Sequence, residues 1–449
     1  MKTIVVIGGG WSGTFTAIQL LEMSKTVRVK IIHSGPPLGL GIAYSTNELE
    51  HLLNVPAGRM SAFKNKPNHF SDWLISKGYS TNPTNEFVPR KVYGNYLIEL
   101  IETYKTNNQL EVIDARAIDI QKSKNHYEIL LNTNNSVFAD KIVLAIGNFL
   151  PASPKVKSPS FYKSNHYFQN PWTNDYLNNL ATDKNILLIG TGLTMVDCIL
   201  SLKKIGFQKT IYVVSPRGYT PVAHGPLETY TDFYSELENK SLLDIYKTIR
   251  KHILKAAKEN ITWRAVIDSL RPNAQQIWLH LSEKDKQQFI SHLRHIWGVV
   301  RHRLPIKTYE EMNQLQTSGQ MEVIGGRIDN LQEQSGNISV TIQLRKQSVI
   351  RELNVGTVVN CTGPQTNYND LQDQLIMNLM SKKMILSDPL KMGIQATING
   401  EVLQNKQEVS KDMYALGSML RGLFWETTAI PDIRVQTEHI AKQIINSIK

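Results

Sequence analysis

Cysteine is nearly absent from this chain. Two occur in 449 residues, Cys198 and Cys361, and there is no Cys-x-x-Cys. That excludes a disulfide-stapled secreted fold, a dithiol redox motif and a zinc-type cysteine cluster. Long apolar runs are missing too. The longest, such as Ile142 to Ile146 and Ile186 to Ile189, are strand-sized, far from the ~20 residues of a membrane span. No block of five like charges occurs, although Lys plus Arg (50) exceeds Asp plus Glu (39) to give a net charge of +11. So dispersed a charge argues against nucleic acid as a partner, and phosphorylated small molecules account for it more simply. No secretory leader is expected, because the apolar residues begin at Thr3 and run straight into a glycine motif. A reducing, cytoplasmic protein with no membrane span is expected.

The remaining composition, 41% hydrophobic and 20% charged, is ordinary for a globular protein. The length suggests about three domains. Thr3 to Ile7 reads as a buried parallel strand. Gly8-Gly9-Gly10-Trp11-Ser12-Gly13 follows at once, then a helix over Thr14 to Met23 and a second strand over Val27 to Ile32. The same device recurs about 180 residues on, as strand Asn185 to Ile189, turn Gly190-Thr191-Gly192, helix Leu193 to Lys204 and strand Thr210 to Val214. Residues 151–172 carry four prolines and read as a linker. Over 227–304 strand signals give way to helical ones. Ser241 with Asp244, and Ser282 with Asp285, are capping pairs there, and Pro272 interrupts. The chain closes with an amphipathic helix over roughly 433–448.

Gly8-x-Gly10-x-x-Gly13, placed between a strand and a helix, is a dinucleotide-binding turn. Its glycines allow the tight turn, the approach of a pyrophosphate and close helix–strand packing. Trp11 and Ser12 lie at the start of the helix, where free N–H groups and the dipole attract phosphate. The acid that usually ends the second strand is replaced by His33, which either contacts the ribose or is a solvent-facing strand end. In the second device Met195 stands in place of the third glycine, and Gly190, Gly192, Leu193 and Thr194 form the turn. The strand after it ends Ser215-Pro216-Arg217-Gly218. With no acid for a 2′-hydroxyl, a hydroxyl and an arginine suit a 2′-phosphate, hence NADPH over NADH. The alternative is Arg217 as a solvated turn residue. Ala145-Ile146-Gly147-Asn148 and Asn360-Cys361-Thr362-Gly363-Pro364 each run from a strand into a small-residue turn.

These motifs, with Gly41-Ile42-Ala43-Tyr44, Leu53-Asn54-Val55-Pro56-Ala57, Arg301-His302-Arg303-Leu304-Pro305 and Ala415-Leu416-Gly417-Ser418, give the chain a resemblance to the bacterial FAD/NAD(P)-binding oxidoreductases akin to the flavin-dependent N-hydroxylating monooxygenases for lysine and ornithine. The resemblance implies an α/β fold with two Rossmann-like dinucleotide-binding domains and a helical insertion. An FAD domain would be built from 1–180 and 361–449, and an NAD(P) domain from 181–360 with the insertion at 227–304. It implies FAD as well as NADPH, and a C-terminal Gly-Asp, here Gly417-Ser418, on the ribityl-phosphate side. Asn54 and Val55 would lie near the flavin ring. Thr427 and Thr428, ahead of a helix starting near Pro431, would approach its pyrimidine side.

The reaction implied is that of an oxidoreductase acting on a small-molecule substrate. A monooxygenase working on a soft nucleophile through a flavin hydroperoxide comes first. An NADPH-dependent reductase or oxidase without hydroxylation, or a flavin-binding sensor module, are the alternatives. No acid/base pair stands out as a catalytic set. His224, Arg301, His302 and Arg303 are candidate substrate contacts. His292, His295, Val299 and His302 fall on one helical face, but no carboxylate accompanies them and no metal site is assigned.

Overall fold

The computed structural model describes residues 1–106, 108–124, 126–334, 336–346, 349–405 and 408–448. In strand Lys2–Ile7 the last four residues are buried. Burial on both faces is what the unbroken Ile-Val-Val-Ile run demands. The strand pairs in parallel with Val27–His33 on one side, Lys2 opposite Val27, and with Lys141–Leu144 on the other, Ile4 opposite Lys141. The full sheet runs Glu401–Leu403, Val409–Ala415, Lys141–Leu144, Lys2–Ile7, Val27–His33, Leu110–Asp114. A three-stranded antiparallel sheet, Ala117–Lys122, Tyr127–Leu131 and Ser136–Ala139, accompanies it. Helix Trp11–Met23 covers the large sheet with Ala17, Leu20 and Leu21, and helix Ile430–Ser447 packs on it with Ile440, Ala441 and Ile444. Each large side chain fully buried there contributes roughly 1.5–3 kcal/mol.

The second sheet repeats the plan. Strand Ile186–Ile189, again wholly buried, lies between Ile211–Ser215 and Thr357–Asn360, both parallel to it. The sheet continues through Met321–Gln334, parallel to Ile211–Ser215, into the antiparallel strands Asn337–Leu344 and Ile350–Val355, and its other edge is Tyr167–Phe168. In both sheets the strand carrying the glycine turn sits where the strand order reverses, the point at which open α/β sheets bind ligands.

Two compact units result, 1–148 with 366–449, and 149–365. The first crossing therefore falls at 148/149, earlier than the expected 180/181. The proline-rich stretch is not a free linker, because Tyr167 and Phe168 pair with Val358 and Val359 and draw it into the second sheet. The return crossing falls at 365/366, close to the expected 360/361. Lys449 lies outside the described residues.

The helical run appears where the pattern change placed it, from Leu242–Lys258 to Arg294–Arg301. Ser241 and Ser282 each accept the backbone N–H three residues on and donate to the carboxylate of Asp244 and Asp285. These are closed capping pairs, worth about 1 kcal/mol each. Pro272 lies in the 3-10 turn Arg271–Asn273.

Candidate functional site

The two glycine turns are built alike. Gly8 donates its N–H to Ile32 O at 2.9 Å, and Gly190 to Val214 O at 2.7 Å. Gly8 has φ +112° and Gly190 φ +113°, a region that L side chains rarely enter. A Cβ would stand 2.2 Å from Ala145 O at Gly8 and 2.5 Å from Cys361 O at Gly190. The strand ends at Ala145 and Cys361 are thus the walls against which each turn closes. Helices Trp11–Met23 and Leu193–Lys204 then begin at Gly10 and Gly192, and among the described residues no side chain caps either one. Uncapped N–H groups at a glycine turn are the arrangement a pyrophosphate satisfies.

In the first unit the indole of Trp11 stacks on Phe15 at 4.4 Å in the core, so its backbone, not its side chain, belongs to the turn. Ser12 Oγ lies 3.1 Å from where a Cβ on Gly417 would be, which brings those two residues together. The His33 ring packs over the turn, 2.4 Å from a Cβ built at Gly9. Ser418 donates its hydroxyl proton to Gly147 O at 2.8 Å. That contact ties together two strand-end loops. Thr427, fully buried, donates to Gly417 O at 3.1 Å and accepts from Gln436 Nε2 at 2.7 Å, while Gln436 Oε1 accepts from Gly417 N. Thr427 thus fixes the Gly417 turn to the last helix, and only Thr428 of that pair is exposed. Val55 is a core side chain, whereas Asn54 is half-buried.

In the second unit Thr191 Oγ1 donates to Ser215 Oγ at 3.1 Å and Gly218 N donates to it at 3.0 Å. Both lone pairs of Ser215 are used and its proton remains for an anion. Arg217 donates from Nη1 to His292 O at 3.0 Å and from Nη2 to Ser291 O at 3.2 Å. It is not a solvated turn residue. Leu193 packs on the core, Thr194 is half-buried, and Gly363 turns with φ +84° just beyond the Cys361 wall. Met195 fills the core below the turn.

The four proposed substrate contacts divide. Arg303 is 3% exposed. It donates from Nη1 to Asp268 at 2.9 Å and from Nε to Val300 O, and its guanidinium lies 5.2 Å from the Trp263 ring. It is an interior strut, a correction to the substrate role. His224 is joined to the same segment through its backbone, donating to Leu304 O at 2.8 Å. Arg301 and His302 are half-buried beside it. His292 lies within the π-helical turn Phe289–Leu293, ahead of helix Arg294–Arg301, so the regular helical spacing behind the shared face does not run through it. Among the described residues no group of three His, Cys, Asp or Glu could hold a metal. No described helix is long and apolar enough to cross a membrane.

Two residues of these sites carry no signal in the sequence: Gln436, on the last helix, which holds the Gly417 turn, and Arg294, next to His295. Burial, then Arg294, then Arg217 push the His295 pKa down to about 4. Burial and Arg217 also lower that of Arg294.

The fold and these turns define an α/β architecture with two Rossmann-like units, each opening on a glycine turn. Residues 5–149 match the family described as FAD-NAD(P)-binding, a span that nearly coincides with the first segment of unit one. The whole chain superposes on the Kutzneria sp. 744 ornithine N-hydroxylase, TM-score 0.69 with 13% identity, and on the Pseudomonas syringae L-lysine 6-monooxygenase, TM-score 0.68 with 13% identity, covering 100% of each chain. It is also similar to the Staphylococcus aureus bacillithiol disulfide reductase, TM-score 0.60, 12% identity, again over 100% of both chains. In sequence it is 21% identical over 223 residues to the Escherichia coli (strain K12) uncharacterized protein YdhS, a match covering 45% of this chain and 39% of that protein.

Proposed function

We propose that the chain is an FAD- and NADPH-dependent oxidoreductase, and that it is a monooxygenase acting on an amine or another soft nucleophile. The observation carrying this is the pair of matched glycine turns, each closed on a strand end and each opening an uncapped helix. Two dinucleotides, not one, fit such a chain. The residues of the first unit that would hold FAD are Gly8 to Gly13, with Gly147 and the Gly417 turn fixed by Thr427 and Ser418. Those of the second unit that would hold NADPH are Gly190, Gly192, the free proton of Ser215 and the guanidinium of Arg217. Bound FAD supplies the hydride-accepting and oxygen-activating chemistry. The protein binds, orients and presents the donors for the phosphates.

Similarity over the full length to an ornithine N-hydroxylase and a lysine monooxygenase supports hydroxylation as the outcome. The test is a screen of small amines for substrate-stimulated NADPH oxidation, with oxygen uptake and product mass read together. A product heavier by one oxygen atom is expected. Peroxide with no oxygenated product from any amine would mark a reductase or oxidase instead.

A further inference from the structure

Helix Glu283–Gln288 does not run straight into helix Arg294–Arg301. Between them the backbone widens into the π-turn Phe289–Leu293, closed by Arg294 N–H on Phe289 O. Such widened turns are rare, cost regularity, and occur mostly at functional sites. This one is not left to itself. Arg217, from the strand end that follows the second glycine turn, spends two of its guanidinium protons on the carbonyls of Ser291 and His292. A guanidinium has five N–H donors in a planar fork, so three remain. Two residues beyond those carbonyls stands Arg294, partly desolvated, for which no carboxylate or hydrogen-bond acceptor is found among the described residues. Arg217 and Arg294 are close enough to repel one another. Two like charges held together with no acid between them call for an anion.

We infer that Arg294 is a second phosphate-binding arginine, carried by the insertion on the π-turn that Arg217 anchors, and that it contacts the 2′-phosphate of NADPH. The inference rests on the NADPH reading above and adds a residue to it. The π-turn is what aims the side chain: without the extra residue Arg294 would sit about 100° further round the helix. Arg217 is then both a phosphate donor and the positioning residue for its partner, and the insertion becomes a reader of the cofactor's third phosphate.

The test compares adenosine 2′,5′-bisphosphate with 5′-AMP, which lacks only the 2′-phosphate, by titration calorimetry on the full FAD-loaded chain. For Arg294→Ala, affinity for the bisphosphate should fall about 10- to 100-fold, with 5′-AMP unchanged within about twofold. Arg294→Lys, which keeps the charge and loses the fork, should fall between. The thermal midpoint of each variant checks that the insertion is folded. Unaltered bisphosphate binding in Arg294→Ala, or an equal loss for both nucleotides, would overturn the inference while the unaltered chain still preferred the bisphosphate. An unaltered chain that binds both nucleotides equally would overturn the NADPH reading and this inference together.

Discussion

Gly10→Ala separates binding from folding at the first glycine turn. Gly10 has φ −71° and ψ −176°, extended backbone open to any residue. A Cβ there would meet only Gly41 Cα, at an ordinary 3.8 Å. The FAD-free protein should therefore keep its stability within about 1 kcal/mol. The methyl group instead occupies the approach to the N–H groups that start helix Trp11–Met23. Displacing a pyrophosphate from them breaks at least one charge-assisted hydrogen bond, roughly 1.5–3 kcal/mol, or about 10- to 160-fold in FAD affinity. Gly13→Ala is the contrast. Its Cβ would stand 1.9 Å from Gly8 O, so the backbone itself must move, and the apoprotein should lose about 1–3 kcal/mol. The assays are FAD titration by fluorescence quenching and urea unfolding of apoprotein. A folded Gly10→Ala protein that holds FAD as tightly as the unaltered chain would refute the pyrophosphate assignment.

Thr427→Val leaves Gly417 O and the Gln436 amide without the hydroxyl between them; a loss of roughly 1–3 kcal/mol by urea unfolding is expected, and Thr427→Ser should restore most of it. His295, with its pKa lowered from 6.5 to about 4, takes up its proton later in the folded chain than in the unfolded one. Stability should be unaffected above about pH 6.5 and decline between there and about pH 4; His295→Gln should flatten that decline, and an unchanged acid profile would count against a desolvated His295. Arg303→Met should lower stability, by stranding Asp268, yet leave the Michaelis constant for NADPH and the affinity for substrate as they were; a selective rise in the substrate constant would return Arg303 to the substrate site.

Both strand-turn-helix units are legible in the sequence because each is local: the apolar run, the glycines and the helix follow one another within a few dozen residues. The capping pairs at Ser241 and Ser282 are legible for the same reason. What is not legible depends on distant partners. Arg303 looks like a surface cation beside Arg301, and only the Asp268 carboxylate and the Trp263 ring take it inside. The tie from Ser418 to Gly147 O joins residues 271 positions apart. The crossing at 148/149 is hidden because residues 167–168 add only a two-residue strand to the second sheet. The π-turn has no local signature at all; Phe-Ile-Ser-His-Leu reads as ordinary helix, and the carbonyls that mark it are met by Arg217, about 75 residues earlier.

A chain that holds both dinucleotides as proposed passes a hydride from NADPH to the flavin. Anaerobic stopped-flow mixing of the FAD-loaded protein with NADPH tests it most directly, by following the visible absorbance of oxidised flavin. Full bleaching by one equivalent of NADPH is expected, faster than by NADH at equal concentration, with recovery of the oxidised spectrum when oxygen is admitted. A loaded protein whose flavin stays oxidised in excess NADPH would contradict it.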